Sequence, residues 1–290
     1  MLRHLTLLLV LALIWSSSYT VIKIAVVTIP PLTLAAGRIV LAAVVLSCFA
    51  WLRGHRVPSG RRFWVFCLLL GFFGNGLPFA LINWGEQRID SGLAAILMSV
   101  MPLATVVMAH FFTHGDRMTP AKLIGVAVGF GGVVILVGPE ALKGLGGDVW
   151  RQLAVATAAL SYGVAVILTR NMGPTSLTVR AAAVMFAASL VMMPMALIFE
   201  IPWTLRPSTG ALAIAVYLGL IPTAGATIIF FHLIEKRGAS FMAFINYLIP
   251  VFGVILGAVV LGERVTAQAM MALAVILIGL AIAKFERSPA

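Results

Sequence analysis

Ten apolar stretches, each about twenty residues long, follow one another along the chain with only short gaps between them. Twenty or so apolar residues is the length a helix needs to cross the hydrocarbon of a bilayer. The stretches run roughly over 5–28, 31–52, 63–84, 91–112, 120–138, 150–169, 178–199, 211–232, 239–260 and 267–285. No gap holds a soluble domain. Of the 290 residues, 62% are hydrophobic and only 10% charged, against roughly 25% charged in soluble domains. A water-soluble fold this apolar could not cover its own surface; lipid is the solvent in which the composition makes sense. The expected fold class is an all-α integral membrane protein with ten transmembrane helices. The apolar run behind Met1-Leu2-Arg3-His4 continues to about Val27 with no small-residue cleavage site, so it reads as the first span and not as a signal peptide.

The net charge is +11, from 20 Lys+Arg against nine Asp+Glu. Basic residues in cytoplasmic loops hold membrane proteins in orientation. With the N-terminus inside, the inside segments carry Arg3, Arg53, Arg56, Arg61, Arg62, Arg117, Lys122, Arg170, Arg180, Lys236, Arg237, Lys284 and Arg287, thirteen of the 20 basic residues. Both termini are therefore expected in the cytoplasm. No basic run with interleaved aromatics lies outside the spans, which argues against a nucleic-acid partner. Cys48 and Cys67 lie in or beside apolar stretches and form no disulfide framework. No Cys/His cluster has metal spacing, and no cofactor is expected.

The chain repeats itself. Pro250 follows Pro102 by 148 residues, Gly219 follows Gly71 by 148, and Tyr162 follows Trp15 by 147. Asp116-Arg117-Met118-Thr119 and Glu263-Arg264-Val265-Thr266 each precede a final Gly-containing apolar stretch. Five spans per repeat is an odd number, which forces the two halves into opposite orientations: an inverted-topology repeat, as in many secondary transporters. The expected division is residues 1–138, a linker at 139–149, and residues 150–290.

Trp15-Ser16-Ser17-Ser18 in the first stretch, Pro102 and Pro250 in mid-helix, and the (D/E)-R-x-T turns at 116 and 263 resemble the paired EamA domains of the drug/metabolite transporter superfamily, over nearly the whole chain. The resemblance implies a ten-helix exporter with a central cavity, carrying amino acids, other metabolites or drugs. Within the family the chain looks most like bacterial amino-acid exporters, including those for aromatic amino acids. The expected setting is the bacterial inner membrane, with lipid and a small-molecule substrate as partners and a monomer sufficient.

Substrate sites in such folds lie near the midplane, where helices break. Gly71, Gly74, Gly76 and Pro78 surround Asn75 in the third stretch; Gly219, Pro222 and Gly225 interrupt the eighth. These residues either free backbone groups for a ligand or let helices pack closely. For Gly125/Gly129 and Gly253/Gly257 packing is the expectation. Ser16, Ser17, Ser18, Asn75, Asn83, Thr105, Ser161, Thr223 and Asn246 are polar within spans and need partners. Trp15 and Tyr162 lie about ten residues into their stretches, too deep for an interfacial belt, and at equivalent places in the repeat. Each offers a ring face to an ammonium. Tyr19, Phe79 and Phe244 lie at similar depth, and Met101 suits either core or a permissive pocket. Arg38 is the deepest charge, roughly 10 Å from the end of its stretch at about 1.5 Å per residue; it either snorkels or meets a substrate carboxylate. The candidate substrate-binding set is Trp15, Ser18, Tyr19, Arg38, Asn75, Phe79, Asn83, Met101, Tyr162, Phe244 and Asn246.

All nine acids fall at helix ends or in loops. Proton-coupled carriers commonly relay through an intramembrane carboxylate or histidine, so a facilitator or exchanger is the expectation. Membrane-embedded protease chemistry needs motifs that are absent, including His-Glu-x-x-His, so no enzyme is expected. A channel assembles pore-lining rings from several subunits, whereas a single-chain inverted repeat favours alternating access.

Overall fold

Lipid supplies no hydrogen-bond partners, so each apolar stretch closes its backbone bonds within itself as a helix. The computed structural model describes residues 2–112, 119–137, 147–173, 175–242 and 244–284. In chain order they form α1 (Leu2–Ala25), α2 (Pro31–Leu52), α3 (Arg61–Glu86), α4 (Ser91–Phe112), α5 (Pro120–Val137), α6 (Gly147–Asn171), α7 (Leu177–Phe199), α8 (Thr209–Leu218 continuing to Met242), α9 (Ile245–Leu261) and α10 (Ala267–Lys284), with no strand among the described residues. Seven of these are long and apolar enough to cross a membrane; α5, α9 and α10 are shorter apolar helices. The Asp116-Arg117 turn and most of the 139–149 linker lie outside the described residues.

Three helices carry interruptions. Phe72–Gly76 in α3 and Gly219–Gly225 in α8 wind as π-helix. In α4 the α-helix stops at Met98 and resumes at Met101. Pro102 has no N–H to bond back into the preceding turn. Pro250, by contrast, sits inside an unbroken α9. The eighth helix ends later than hydropathy suggests. Glu235-Lys236-Arg237 reads as an edge, yet the helix runs on to Met242 and the ninth begins only at Ile245. Hydropathy marks the thickness of hydrocarbon; Glu, Lys and Arg are good helix formers and carry a helix on into water.

Packed pairs include α5 with α10, α2 with α7, α1 with α9, α4 with α6, α3 with α6, α3 with α7, α2 with α8 and α1 with α8. Small residues let the backbones approach. A Cβ on Gly125 would stand 2.5 Å from the Ala283 nitrogen and 2.6 Å from the Gly279 carbonyl oxygen, and Gly279 is equally tight against Gly129. Gly253 packs on Ala95, and Gly257 lies beneath Ser91 and Glu263. Both glycine pairs expected to serve packing do so. In α3 the Gly71 position is as tight: its Cβ would meet the Ala188 nitrogen at 2.8 Å. Between helices in lipid, such close approach supplies much of the association energy. Gly125→Leu should therefore force α5 off α10 and cost about 1–3 kcal/mol, read as a lower unfolding temperature in detergent, whereas Gly131→Leu, which has open space at its Cβ, should leave it unchanged.

Candidate functional site

The π-helical stretch of α3 packs on α6 and α7, and that of α8 packs on α1 and α2, so each break rests on helices from the other half of the chain. A π turn disturbs the i to i−4 ladder and leaves carbonyls in need of a donor. The Trp15 indole on α1 donates to the Pro222 carbonyl at 3.1 Å, and the Ser161 hydroxyl on α6 donates to the Phe73 carbonyl at 2.6 Å. Thr223 donates to the Leu218 carbonyl just ahead of its own stretch at 2.7 Å. Elsewhere on α1, Ser16 donates to the Ile249 carbonyl of α9 at 3.0 Å, and Ser17 pairs with the Tyr217 hydroxyl of α8 at 2.8 Å.

Arg38 sits at the centre of this zone, 4% exposed. Its Nε and Nη2 groups donate to the Thr223 hydroxyl at 3.2 and 3.0 Å. The guanidinium lies 3.8 Å from the centroid of the Phe79 ring, a cation–π contact strengthened by desolvation. Tyr19, Tyr162 and Glu86 lie within electrostatic reach of it. Arg38 has no carboxylate hydrogen-bond partner among the described residues. Snorkelling is thus not its role: it points into the bundle.

The candidate residues fall into groups. Arg38 lies on Phe79, Phe79 and Tyr162 share one apolar cluster, and Tyr162 shares a second with Tyr19 and Met101; packed together they make the buried chamber around Arg38. Trp15 stands one layer away, 5.7 Å from Phe230. Ser18 is buried and bonds back to Ile14 at 3.3 Å. Asn83 is buried and donates to the Pro31 carbonyl at 2.9 Å, with its own Oδ1 unpartnered. Asn75 and Asn246 are half-buried. Phe244 is 55% exposed and stands apart from the chamber. Thr223 and Tyr217 join the site by geometry. The Gly/Pro frame around Thr223 was the signal for the first; nothing local marked Tyr217.

Among the described residues Glu86, Asp90, Asp148, Glu200 and Glu263 lie at helix ends, whereas Glu235 lies within α8 and Asp116, Glu140 and Glu286 fall outside the described residues. The surroundings of the acids at helix ends differ from what that position suggests. Glu200 accepts from the Leu32 and Thr33 amides and the Thr33 hydroxyl, at 3.0, 2.6 and 2.8 Å. Glu263 accepts from the Ser91 and Gly92 amides and the Ser91 hydroxyl, at 2.7, 3.0 and 3.0 Å. Each carboxylate seals the N-terminus of a helix from the other half of the chain, where the amides and the helix dipole favour an anion. Glu86, last residue of α3, is 0% exposed, and neither carboxyl oxygen has a hydrogen-bond partner. Its burial removes the ground for expecting a carrier without a buried acid. A cavity of about 160 Å³ opens beside Glu263, lined also by Asp90, Arg264 and Gln268.

The sequence and fold have known relatives. The EamA-like transporter family model matches residues 2–138 and again 149–285. The chain belongs to the EamA-like transporter family. Among family relatives, an uncharacterized inner membrane transporter of Escherichia coli, YedA, is 28% identical over 269 residues, covering 92% of this chain and 85% of the relative. A probable terminal-alkyne amino-acid exporter of Streptantibioticus cattleyicolor is 28% identical over 251 residues, covering 86% of this chain and 82% of its own. A solved crystal structure superposes with a TM-score of 0.68 over 96% of both chains at 23% identity, which speaks for the shared fold. The EamA family and these relatives point to a transporter and away from an enzyme.

Asp90 lies between α3 and α4 at the mouth of the cavity. Desolvation by the groups packed around this partly accessible residue, helped by the Glu263 charge and opposed by Lys23, raises its carboxyl above the usual range. A raised folded value means the folded state holds that proton more tightly than the unfolded chain. Its contribution to stability is present below the ordinary aspartate value and is lost as pH rises through the raised one. Asp90→Asn should therefore gain thermal stability relative to wild type as pH climbs from about 4 to neutrality, with the two curves meeting at acid pH.

Proposed function

We propose that this protein exports small metabolites, neutral and aromatic amino acids foremost, by alternating access across a bacterial inner membrane. The observation that carries the reading is Arg38: a guanidinium buried in a chamber walled by Phe79, Tyr19 and Tyr162, held by a hydroxyl and a ring face with no carboxylate of its own. A buried cation left with spare donors is costly unless an anion completes it, and a substrate carboxylate is a bidentate match for the guanidinium fork. Aromatic walls accept an apolar or aromatic side chain. The relative named as an amino-acid exporter supports the same cargo class.

Two inverted five-helix repeats, 1–138 and 150–290, with both termini in the cytoplasm, are the architecture we assign to this cycle. The paired packing supports it. Advancing every label by five helices, with wrap-around, turns α1–α9 into α6–α4 and α3–α6 into α8–α1, while α2–α7 and α5–α10 map onto themselves; all of these pairs are packed. The matching π-helical breaks in α3 and α8 fit the same exchange. One chain supplies every group of the chamber, so a monomer suffices, in lipid and without a cofactor.

The test is counterflow of labelled phenylalanine into liposomes holding the purified protein. Wild type should show saturable uptake. Arg38→Gln should weaken apparent phenylalanine affinity by about ten- to a hundredfold, the loss of one charge-assisted hydrogen bond set at roughly 1.5–3 kcal/mol, while Phe244→Ala should change it little. Saturable uptake of another carboxylate-bearing metabolite in place of phenylalanine would keep the Arg38 role and move the cargo assignment.

A further inference from the structure

Glu86 is the group the proposed amino-acid cycle does not yet use. Its carboxyl is fully enclosed, and neither oxygen accepts a well-formed hydrogen bond, although the Lys23 backbone amide lies within reach. The titratable and charged groups around it are engaged elsewhere or stand off. From α1, Lys23 donates its ammonium to the Ile89 carbonyl at 2.7 Å, and Tyr19 lies within electrostatic reach. From α2, Arg38 donates to Thr223. From α6, Arg151 is bonded to the Trp84 carbonyl and the Gln87 side chain, and Tyr162 belongs to the Arg38 chamber. On α3 itself, Asn83 is turned to Pro31. Beyond α9, Glu263 is tied to the start of α4, and it and Lys23 and Arg38 are the charges that reach Glu86 electrostatically. From the α3–α4 link, Asp90 borders the same cavity as Glu263.

An ionised carboxylate offers about four acceptor sites, and here none is met by a well-formed hydrogen bond. Burial of such a charge without a partner is among the most expensive arrangements in a protein. The enclosure closes without that cost when the carboxyl carries a proton, or when a cation enters with it. An amino acid whose carboxylate lies on Arg38 brings an ammonium into the region where Arg38 and Glu86 lie within electrostatic reach of one another. The two neutralising partners, proton and ammonium, exclude one another at one carboxyl.

We propose that Glu86 is a proton-binding site that exchanges its proton for the ammonium of the cargo, so that each cargo molecule moved is coupled to a proton moving the other way. The proton half stands on the enclosure alone; the exchange half rests on the amino-acid reading above. In the closed, empty protein Glu86–H fills the site. Loading transfers that proton to water and places the ammonium on the carboxylate; unloading reverses both. Charge at the carboxyl is balanced in either state.

Two measurements test this. The first needs no cargo. Infrared difference spectra of the purified wild type at neutral pH should show the C=O stretch of a protonated carboxylic acid that is missing from Glu86→Gln and shifted in Glu86→Asp. Absence of that band from the wild type would overturn the proton site. The second uses labelled phenylalanine and proteoliposomes with a pH dye inside. An acid interior should accelerate wild-type uptake, and uptake should alkalinise the interior. Glu86→Gln, an isostere of the neutral acid, should elute and melt like wild type and lose both effects, while Glu86→Asp retains them in weakened form. Uptake by the wild type that ignores the gradient, or a Glu86→Gln variant that still follows it, would sink the exchange. A wild type that moves no phenylalanine but shows the carboxyl band would fail the cargo reading and uphold the proton site.

Discussion

A carbonyl freed from its helix inside hydrocarbon has nowhere to turn but the protein, and the rest of the structure is organised around that constraint. Each π-helical stretch releases backbone groups at mid-bundle, and an unmet group there costs several kcal/mol. The donors come from the other half of the chain: Trp15 reaches Pro222, and Ser161 reaches Phe73. The break in one half is thus tolerable only while a helix of the other half is docked against it. The same interruption lets Thr223 turn its hydroxyl between the Leu218 carbonyl and the Arg38 guanidinium. Helix breaking, inter-half packing and placement of the buried cation are one interaction seen from three sides.

Much of this was legible in the residues because its causes are local. Hydropathy gives each span, and Gly71, Gly74, Gly76, Pro78, Gly219, Pro222 and Gly225 mark both breaks. Gly125, Gly129, Gly253 and Gly257 announce close packing through their lack of a Cβ. The depth of Arg38 follows from counting residues, although its direction does not: a snorkelling arginine and an inward one have the same sequence, and Phe79 and Thr223 decide between them. The burial of Glu86 was not legible. Its place at a helix end suggests headgroups and water. What removes the water is a lid assembled from distant segments, with Lys23 on Ile89, Gly85 against Val155, and Arg151 over Trp84. Tyr217 escaped for the same reason, since its partner Ser17 is two hundred residues away.

Three glutamates near helix ends meet three different environments, and the difference is one of donors. Glu200 and Glu263 each accept three hydrogen bonds from the first residues of a helix, so their charge is dispersed over amides that the helix itself cannot satisfy. Glu86 sits at a C-terminus, where the exposed backbone groups are carbonyls and the dipole disfavours an anion. Sequence position treats the three alike; helix polarity does not. A carboxyl at the wrong end of a helix, sealed from water, is stable only in company with something positive that arrives from outside.

The clasps made by Glu200 and Glu263 join α2 and α4 of one half to the turns after α7 and α9 of the other. In the proposed cycle, opening the end at which α1 and α3 finish has to break both. Water then solvates the freed carboxylates and amides, so the net cost per bond is modest, of order 0.5–1.5 kcal/mol and up to about 3 where the acceptor is charged. Whatever gap these six bonds set between the two forms of the proposed cycle, a ligand can reverse it only through its difference in affinity for the two forms. In that proposed cycle the difference arises around Arg38 and Glu86, because the protein leaves the guanidinium without a carboxylate and the carboxyl without a well-formed donor, and a molecule carrying both charges completes the two at once.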